Sequence, residues 1–436
     1  MADLYVALVG TRFDGQDFVN AAVAAGARGA VVSRAPAAAS EVPLYPVDDT
    51  LVALGRLATH RRVAFPGPVV GITGSSGKTA TKEFTRGALA SSLKVHATRA
   101  NLNNRVGVPI TLLATPAEAD VVVVEMGSNE PGEIRILTDI VRPTVGVVTT
   151  VGESHLEKLG SMAGVLEEKL DLVRGLPAAA AAVVGDTPPS LPERARALRP
   201  RTRVAGWTDH ADADLRPARV EVDARGAHSF DWRGARVALA APGRHMAQNA
   251  LLALAVSELL GVEPGPAAAG VSAVEPGWMR GQVERAGGLT LLPDCYNANP
   301  QSVRAALDLL ELQGNAGRRI AVLGSMLELG EGSESLHVEV LRDALARGLD
   351  AVVAIGAFAQ AAASLGDVRG ATTLVTADDP ASAYTRLREL LNGNEVVLLK
   401  ASRGVALETI LPSLREDFGG AHPGLRRAER GGRAVH

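Results

Sequence analysis

The stretch whose residue types and spacing most clearly suit chemistry is VVGITGSSGKTATKEF, residues 69–84. An apolar run typical of a buried strand breaks there into a glycine-serine turn and then an amphipathic helical pattern. Such a turn presents unpaired backbone N–H groups and the positive end of a helix dipole, which favour a bound phosphate. Gly74 and Gly77 allow the tight turn, while Lys78 supplies a point charge and Thr79 a hydroxyl for Mg²⁺. The pattern predicts an ATP or GTP site, and its alternative is an ordinary glycine turn before a helix.

Three titratable residues follow at places where a nucleotide site would use them. Glu125 ends the apolar run VVVVE, at the sheet edge where open α/β folds bind ligands, and a carboxylate there suits Mg²⁺. His155 follows a second buried-type run, VGVVTTV, and Lys169 lies in the helical stretch LEEKLDLV. Each also has an ordinary interpretation, as a surface ion pair, a structural imidazole and a solvated helix charge respectively.

The elements that must position these residues predict an α/β fold class. β-branched runs alternate with helical stretches, which is typical of parallel sheets covered by helices. A hairpin is predicted to turn at Arg233-Gly234, and the Ala-rich patches at 36–39 and 178–182 are interpreted as linkers or helix filler. Helices are predicted at roughly 78–92, 131–141, 161–175 and 245–261.

Proline punctuation in VAFPGPVV marks a first domain boundary, and the βα rhythm restarts after Met279 with RIAVLG, AVVAIG, TTLVT and EVVLLK. We therefore predict four segments: a small N-terminal α/β domain at 1–65, a central mononucleotide-binding α/β domain at 66–278, a C-terminal Rossmann-like α/β domain at 279–418 and a flexible tail at 419–436.

Composition narrows the class of partner. The 436 residues are 47% hydrophobic and carry a formal net charge of -3, so the chain lacks the basic surface that binds nucleic acid. No apolar run approaches the ~18 residues of a membrane span. One cysteine, Cys295, excludes an intrachain disulfide and fits a reducing cytosol. We therefore expect a cytoplasmic, monomeric protein with small-molecule substrates.

Eight motifs, in this order and spacing, resemble the Mur ligases over about residues 4–415, and most closely the branch that adds D-alanyl-D-alanine. The phosphate loop and the histidine motif belong to the whole superfamily, which includes folylpolyglutamate synthetases, whereas EMGSNEPGEI, DCYNANP and MLELGE resemble that branch in particular. The motifs are GITGSSGKT, NLNNRVGVPITLL, VVVVEMGSNEPGEI, VGESHLEKLGS, GRHMAQNALLA, DCYNANPQSV, VLGSMLELGE and LLKASRG.

The resemblance implies a reaction. ATP phosphorylates the terminal carboxylate of UDP-N-acetylmuramoyl-tripeptide to an acyl phosphate, the amine of D-alanyl-D-alanine attacks it, and a tetrahedral intermediate collapses to an amide and phosphate. Phosphoryl transfer of this kind needs positioning and charge neutralisation more than covalent help. The implied cofactors are ATP, two Mg²⁺ ions and a carbamate formed from CO₂ on Lys169. Whether the third residue of the tripeptide is lysine or diaminopimelate stays open.

The same resemblance implies roles for individual residues. Lys78, Lys169 and His155 are the catalytic set, and Thr79, Glu125, His155 and carbamylated Lys169 hold the metals. The implied ATP contacts are Gly74, Ser75, Ser76, Gly77, Lys78, Thr79, Asn249 (adenine), Arg280 (phosphates), Asp294 and Tyr296 (ribose and base). The implied substrate contacts are Asp14 and Gly15 (uridine nucleotide), Asn103 and Asn104 (peptide), and Lys400, Ser402 and Arg403 (acceptor cleft). Asp14-Gly15 as a plain β-turn, and Asn103 and Asn104 as turn residues, are the alternatives.

The sequence departs from the family pattern at several places. It starts almost directly at LYVAL, so we expect a shortened uridine-nucleotide site. Met246, Ser325 and Ala401 replace asparagine, aspartate and glycine of the family motifs. Two other functions stay open: a different amide ligase of the superfamily that adds glutamate or a diamino acid, and a degenerate nucleotide-binding partner without turnover. The absence of a DNPR-type sequence weakens the diamino-acid alternative.

Overall fold

The N-terminal part of the chain forms a small three-stranded parallel sheet in the order β1-β2-β3. The computed structural model describes residues 3–34, 41–277, 279, 282–313, 317–366 and 371–419. The elements of this first unit are β1 (Asp3–Val6), α1 (Val19–Ala24), β2 (Ala27–Val32), β3 (Leu44–Pro46) and α2 (Thr50–Ala64).

The middle of the chain forms a six-stranded parallel sheet in the order β5-β6-β4-β7-β8-β9. Its strands are β4 (Val69–Thr73), β5 (Val95–Ala97), β6 (Val121–Glu125), β7 (Val145–Val148), β8 (Ala181–Gly185) and β9 (Arg203–Ala205). Its helices are α3 (Lys78–Ala90), α4 (Gly107–Leu113), α5 (Glu133–Val141), α6 (Leu156–Leu159), α7 (Met162–Gly175), α8 (Ser190–Leu198), α9 (Arg244–Leu259) and α10 (Pro264–Ser272).

The central strands are valine-rich because helices cover both faces of the sheet. Val121 and Val123 of β6 join one core with α3 and α9, whereas Val122 and Val124 join the other with α5 and α7. Alternate side chains therefore enter opposite cores, and the carboxyl end of each strand stays at one sheet edge. This edge carries the phosphate loop and Glu125.

A separate antiparallel sheet inserts between β9 and α9. It consists of β10 (Ala218–Val222), β11 (Ala227–Trp232) and β12 (Ala235–Pro242) in sequential order. Arg233 and Gly234, both at positive φ, form the two-residue turn between β11 and β12. The predicted hairpin is therefore present, with β10 as an additional strand.

The C-terminal part forms a second six-stranded sheet in the order β13-β14-β18-β15-β16-β17, with only β13 antiparallel to its neighbour. Its strands are β13 (Glu284–Ala286), β14 (Leu289–Asp294), β15 (Arg319–Leu323), β16 (Ala351–Ile355), β17 (Thr373–Ala377) and β18 (Val396–Lys400). Its helices are α11 (Pro300–Glu311), α12 (Ser333–Ala346), α13 (Ala357–Leu365), α14 (Pro380–Leu390) and α15 (Leu411–Phe418).

The predicted α/β fold class is confirmed, and the four predicted helices correspond to α3, α5, α7 and α9. The interpretation of 178–182 as linker or helix filler is confirmed only in part, because residues 178–180 form the turn between α7 and β8 whereas Ala181 and Ala182 begin the buried strand β8. Small apolar residues are tolerated there since helices cover both faces of the sheet. The patch at 36–39, Arg280 and the tail from 420 lie outside the described residues. The exact domain boundaries stay a prediction.

Among the residues that the structure describes, no helix combines the length and apolar character needed to cross a membrane.

Candidate active site

The phosphate loop at 74–77 joins β4 to α3, with Lys78 as the first residue of the helix. Gly74 has φ +146° and Gly77 has φ +81°, conformations that favour glycine. A Cβ at Gly74 would overlap Thr149 Oγ1, and one at Gly77 would overlap Asn249 Oδ1. Both glycines are therefore required by close packing as well as by backbone conformation.

The loop that follows β7 braces the phosphate loop. Ser75 N donates to the Thr150 carbonyl at 2.8 Å, and Ser75 Oγ donates to the Gly152 carbonyl at 3.0 Å. Ser154 Oγ donates to Ser75 Oγ at 2.9 Å, and Thr149 Oγ1 donates to the Ser76 carbonyl. The buried hydroxyl of Ser75 thus joins two loops, which is a positioning contact rather than an exposed ligand group.

Lys78 folds back over the loop that precedes it. Its Nζ donates to the Gly74 carbonyl at 2.6 Å and to the Ser75 carbonyl at 3.4 Å. Thr79, the next residue of α3, is half-buried. Helix α3 therefore begins with a cation and a hydroxyl beside the turn, the arrangement that the sequence predicts for phosphate and Mg²⁺.

Lys169 lies on α7 with its side chain 1% exposed, and its Nζ donates to Ser128 Oγ at 2.7 Å. Burial, reinforced by the nearby charge of Lys78, lowers the pKa of Lys169 to about 7. A solvated helix lysine would keep its ordinary pKa. The interpretation of Lys169 as a solvated helix charge is therefore wrong, because tertiary packing encloses the amine.

Glu168, the residue before Lys169, contacts the other end of the loop that contains Ser128. Glu168 Oε1 accepts a hydrogen bond from Ile134 N at 2.8 Å, and Oε2 accepts one from Gly132 N at 2.6 Å. A carboxylate at this place satisfies free N–H groups at the start of α5 and complements the helix dipole. Adjacent positions of α7 thus fix both ends of the loop at 128–134.

Glu125 ends β6 beside β4, since its Cα pairs with that of Ile72. Its Oε1 accepts from Asn103 Nδ2 at 2.9 Å, and its N–H donates to Thr98 Oγ1 at 3.0 Å. Its Oε2 is buried with no hydrogen-bond partner among the described residues. A buried carboxylate oxygen in that state requires an explanation, and a bound cation supplies one.

The residues present fit a magnesium site built mostly from substrate oxygens. Within the described ranges no group of three or more His, Cys, Asp or Glu residues could hold a metal. Mg²⁺ in phosphate-transferring sites is typically held by one or two carboxylates together with phosphate oxygens and water. Glu125, Thr79 and His155, which directly precedes α6, would supply the protein ligands.

His155 precedes α6 in a left-handed conformation with φ +52°. Its Nδ1 pairs with the Glu328 carboxylate, which belongs to the C-terminal sheet unit. The hydrogen bond from His155 holds the pKa of Glu328 below its usual range, although desolvation opposes this. The imidazole therefore joins the central and C-terminal units.

Asn249 approaches the phosphate loop from α9. Its side chain is buried, and its Oδ1 accepts from Thr81 Oγ1 at 3.2 Å. The same oxygen lies directly against Gly77. The structure therefore places Asn249 beside the phosphate loop, and its predicted adenine contact stays a prediction.

Four C-terminal candidates form a cluster of their own. Lys400 Nζ lies 2.9 Å from Asp294 Oδ2 and donates to the Asn297 carbonyl at 2.6 Å. The guanidinium of Arg403 lies 5.6 Å from the centre of the Tyr296 ring. These pairs occupy the carboxyl ends of β14 and β18.

The C-terminal unit also reaches the phosphate loop directly. Asn299 Nδ2 donates to Ser76 Oγ at 3.2 Å, and Gln301 Nε2 donates to Thr150 Oγ1 at 2.9 Å. Asn299 is the N-cap of α11, with a reciprocal hydrogen bond to Ser302. The positive end of α11 is thereby placed next to the phosphate loop.

The remaining candidate substrate and ATP contacts are described by the neighbours that they bond to. Asn104 Oδ1 accepts from Val106 N and Gly107 N, so it is a turn residue before α4. Asp14 pairs with Arg34 at 3.0 Å, and Gly15 packs against Leu8 within the N-terminal unit. Ser402 Oγ accepts from Leu327 N at 3.0 Å inside the C-terminal unit. Arg280, assigned to the phosphates, lies outside the described residues.

The chain matches three family models along its length. Residues 2–62 match "Mur ligase family, catalytic domain", residues 72–257 match "Mur ligase middle domain", and residues 279–403 match "Mur ligase, glutamate ligase domain". A curated relative, UDP-N-acetylmuramoyl-tripeptide--D-alanyl-D-alanine ligase of Bacillus subtilis, is 35% identical over 95% of this chain and 90% of its own length. The chain belongs to the Mur ligase family.

Solved structures of Mur ligases have the same fold. MurF from Acinetobacter baumannii superposes with a TM-score of 0.87 at 31% identity, covering 95% of this chain and 90% of that one. MurF from Thermotoga maritima in complex with ADP gives a TM-score of 0.83 at 28% identity, covering 96% and 95%. The likeness extends over all the sheets described above.

Sequence reasoning missed several residues that complete this Mur ligase site. Thr149 and Thr150 brace the phosphate loop, and Glu328 pairs with His155. Asn299 and Gln301 contact the loop across the unit boundary. The N-x-x-S spacing of Asn299 and Ser302 signals a helix cap, and Glu328 lies in the MLELGE motif, but no local pattern shows which residues these side chains contact.

Proposed function

We propose that this Mur ligase couples ATP hydrolysis to the joining of D-alanyl-D-alanine to UDP-N-acetylmuramoyl-tripeptide, in peptidoglycan precursor synthesis. The observation that carries the proposal is the 35% identity over 95% of the chain to a relative named for that reaction, together with a phosphate loop that has the required geometry. The amide forms when the dipeptide amine displaces phosphate from an acyl phosphate on the tripeptide.

The phosphate loop would hold the ATP phosphates through backbone N–H groups at the start of α3. Lys78 lies folded over the loop, and on nucleotide binding its Nζ would exchange the Gly74 carbonyl for phosphate oxygens. Because phosphoryl transfer depends on charge neutralisation, this cation contributes most where negative charge moves from the γ phosphate to the leaving group.

Bound Mg²⁺ would neutralise the phosphates and bring the γ phosphate and the acceptor carboxylate together. Glu125 would offer to the ion its Oε2, which has no hydrogen-bond partner among the described residues, and Asn103 keeps that carboxylate in place through Oε1. Thr79 and His155 complete the protein ligands that we propose.

Lys169 is suited to carbamylation. At a pKa of about 7 a large share of the amine is neutral near neutral pH. Its nitrogen lone pair can form an N–C bond to CO₂, after which the nitrogen loses a proton to water and leaves an anionic carbamate. The conversion removes the cost of a buried cation beside Lys78 and supplies a negative group near the metal site.

The C-terminal unit would close over the reactants. Asn299 and Gln301 already contact Ser76 and Thr150, so the unit lies against the phosphate loop in the described conformation. Such closure keeps water from an acyl phosphate. We propose a monomeric enzyme, and the single cysteine fits a cytoplasmic location.

The test is phosphate release with ATP and Mg²⁺, measured with the nucleotide tripeptide alone, D-alanyl-D-alanine alone, and both together. We expect release only with both, matched by a UDP-N-acetylmuramoyl-pentapeptide in mass spectrometry. Lysine and diaminopimelate forms of the tripeptide are assayed in parallel.

Two further arms test the alternatives. Glutamate in place of the dipeptide would give turnover if the chain were another amide ligase of the superfamily. Nucleotide binding without phosphate release under any condition would contradict the proposal and favour a partner protein without turnover.

A further inference from the structure

One residue of the C-terminal unit makes two contacts with the segment that carries His155. The Glu328 carboxylate pairs with His155 Nδ1, and the Glu328 carbonyl accepts from Glu157 N at 3.2 Å. A Cβ at Gly330 would lie 2.9 Å from the Glu157 Cα, so the two backbones approach closely. The contact therefore involves both backbone and side chain.

Both partners of the ion pair have unusual backbone conformations. His155 has φ +52° and Glu328 has φ +64°. Left-handed conformations of residues other than glycine are strained and persist only where the surrounding structure holds them. Two such residues in contact indicate that the pair is fixed by the fold rather than formed by chance between surface side chains.

The segment that presents Glu328 is anchored on its N-terminal side by a buried histidine. Met326 N donates to His337 Nε2 at 2.9 Å, and His337 Nδ1 donates to the Ser333 carbonyl at 2.6 Å. Because Nε2 accepts the hydrogen bond from Met326 N, it is the unprotonated nitrogen of the ring, and burial lowers the pKa of His337, which favours the neutral form. The ring of His337 packs edge-on against that of Phe358, with the two ring centroids 4.7 Å apart.

The anchoring continues through the neighbours of Glu328. Leu327 N donates to Ser402 Oγ at 3.0 Å, and Met326 and Leu329 are buried in the core of the C-terminal sheet. The side chains of Leu327 and Glu328 are about half exposed, whereas the contacts above hold the backbone of this loop. The Glu328 carboxylate reaches the central unit while the backbone on both sides of it is held.

We propose that Glu328 is the positioning residue of His155. The Glu328 carboxylate accepts a hydrogen bond from Nδ1–H of His155 and thereby fixes the tautomer of the imidazole. Nε2 is then the nitrogen left to bind metal. Carboxylate partners act in this way on metal-bound histidines in other proteins. Because Glu328 belongs to the C-terminal unit, the oriented ligand exists only when that unit is docked. The inference rests on the proposed function in one respect, the metal-binding role of His155.

The test compares Glu328→Ala and Glu328→Gln with wild type and with a matched control, Glu331→Gln, an exposed glutamate three residues along. Binding of Mn²⁺ in the presence of ATP is followed by electron paramagnetic resonance, which needs no ligase turnover. We expect Glu328→Ala to weaken Mn²⁺ binding about tenfold or more. The Mn²⁺ affinity of Glu328→Gln should lie between those of Glu328→Ala and wild type, and the affinity of Glu331→Gln should equal that of wild type.

A second measurement is hydrogen exchange of residues 153–159 in the metal-free, ligand-free protein. It should be faster in Glu328→Ala than in wild type, with thermal unfolding showing that the variant is folded. Mn²⁺ binding within twofold of wild type would overturn the proposal, and faster exchange with unchanged Mn²⁺ binding would reduce Glu328 to a structural contact. Absence of pentapeptide product in wild type would count against the proposed function alone, since neither measurement depends on it.

Discussion

The carboxyl ends of the two six-stranded sheets differ in how their polar groups are satisfied. At the central sheet, Glu125 Oε2 is buried without a partner among the described residues, and Lys169 has an amine with a pKa of about 7. At the C-terminal sheet, buried Lys400 pairs with Asp294 and the Asn297 carbonyl. Lys400 and Asp294 at the C-terminal edge therefore satisfy each other's charge, whereas Glu125 Oε2 at the central edge has no hydrogen-bond partner among the described residues.

The comparison shows that two similar sheets use the polar groups at their carboxyl ends differently. Unsatisfied groups in a buried site are costly, so they are expected where a ligand offsets the cost. The C-terminal edge, where Lys400 and Asp294 are paired, belongs to the unit that presents Asn299, Gln301 and Glu328 to the central unit.

The largest effect is expected from removing a lysine at the carboxyl-end edge of the central sheet. We expect Lys78→Ala to lower the rate of phosphate release at least about a hundredfold, because a charge that stabilises the transition state is lost. The unfolding midpoint of the variant is measured in parallel, so that a loss of activity is distinguished from a loss of folding. Activity within tenfold of wild type would contradict the assignment.

A methyl group on the phosphate loop should act almost as strongly. Gly74→Ala places a Cβ on Thr149 Oγ1 and imposes backbone strain, so we expect about thirtyfold weaker ATP binding by calorimetry, or about 2 kcal/mol. Gly261→Ala is the matched control, because Gly261 also has positive φ but no atom within 4 Å of a new Cβ. Equal losses in both variants would show that strain alone is responsible.

Removing a lysine at the carboxyl-end edge of the C-terminal sheet should lower the free energy of unfolding. Lys400→Met keeps the apolar stem but leaves Asp294 without its cation. We expect a loss of on the order of 1–2 kcal/mol in urea unfolding, less than for a fully buried pair because Asp294 is partly exposed. A variant as stable as wild type would show that this edge is not held by its ion pair.

The smallest expected effect is the pH dependence of Lys169. Its folded pKa of about 7 lies below the unfolded value, so the unfolded chain binds more protons between about pH 7 and pH 10, and stability rises with pH there. The stability of wild type relative to Lys169→Met should increase by on the order of 1 kcal/mol between pH 7 and pH 8 in urea unfolding. A constant difference between the two proteins would mean that Lys169 is not titrating there.

The sequence predicts well those features that depend on neighbouring residues. The glycines, Lys78 and the helix they begin are adjacent in the chain, and Glu125 ends an unmistakable apolar run. Strand β8 was missed because alanines at 181 and 182 suit a helix equally well, and only its place between β7 and β9 decides the matter.

The rest of the site depends on contacts between distant segments. His155 and Glu328 are 173 positions apart, and neither has a neighbour in sequence that indicates the other. The lowered pKa of Lys169 follows from burial, which local pattern does not reveal. Such properties are set by how the units pack.

Helix α7 holds both ends of the loop at 128–134 with consecutive residues, Glu168 at the start of α5 and Lys169 at Ser128. Because successive residues of an α-helix are separated by about 100° around its axis, inserting or deleting one residue before Glu168 would turn both side chains away together. Insertions and deletions should therefore be excluded from the first half of α7. Related chains are expected to vary in length at the exposed turns, such as that at Arg233-Gly234, where a new Cβ on Gly234 meets no atom.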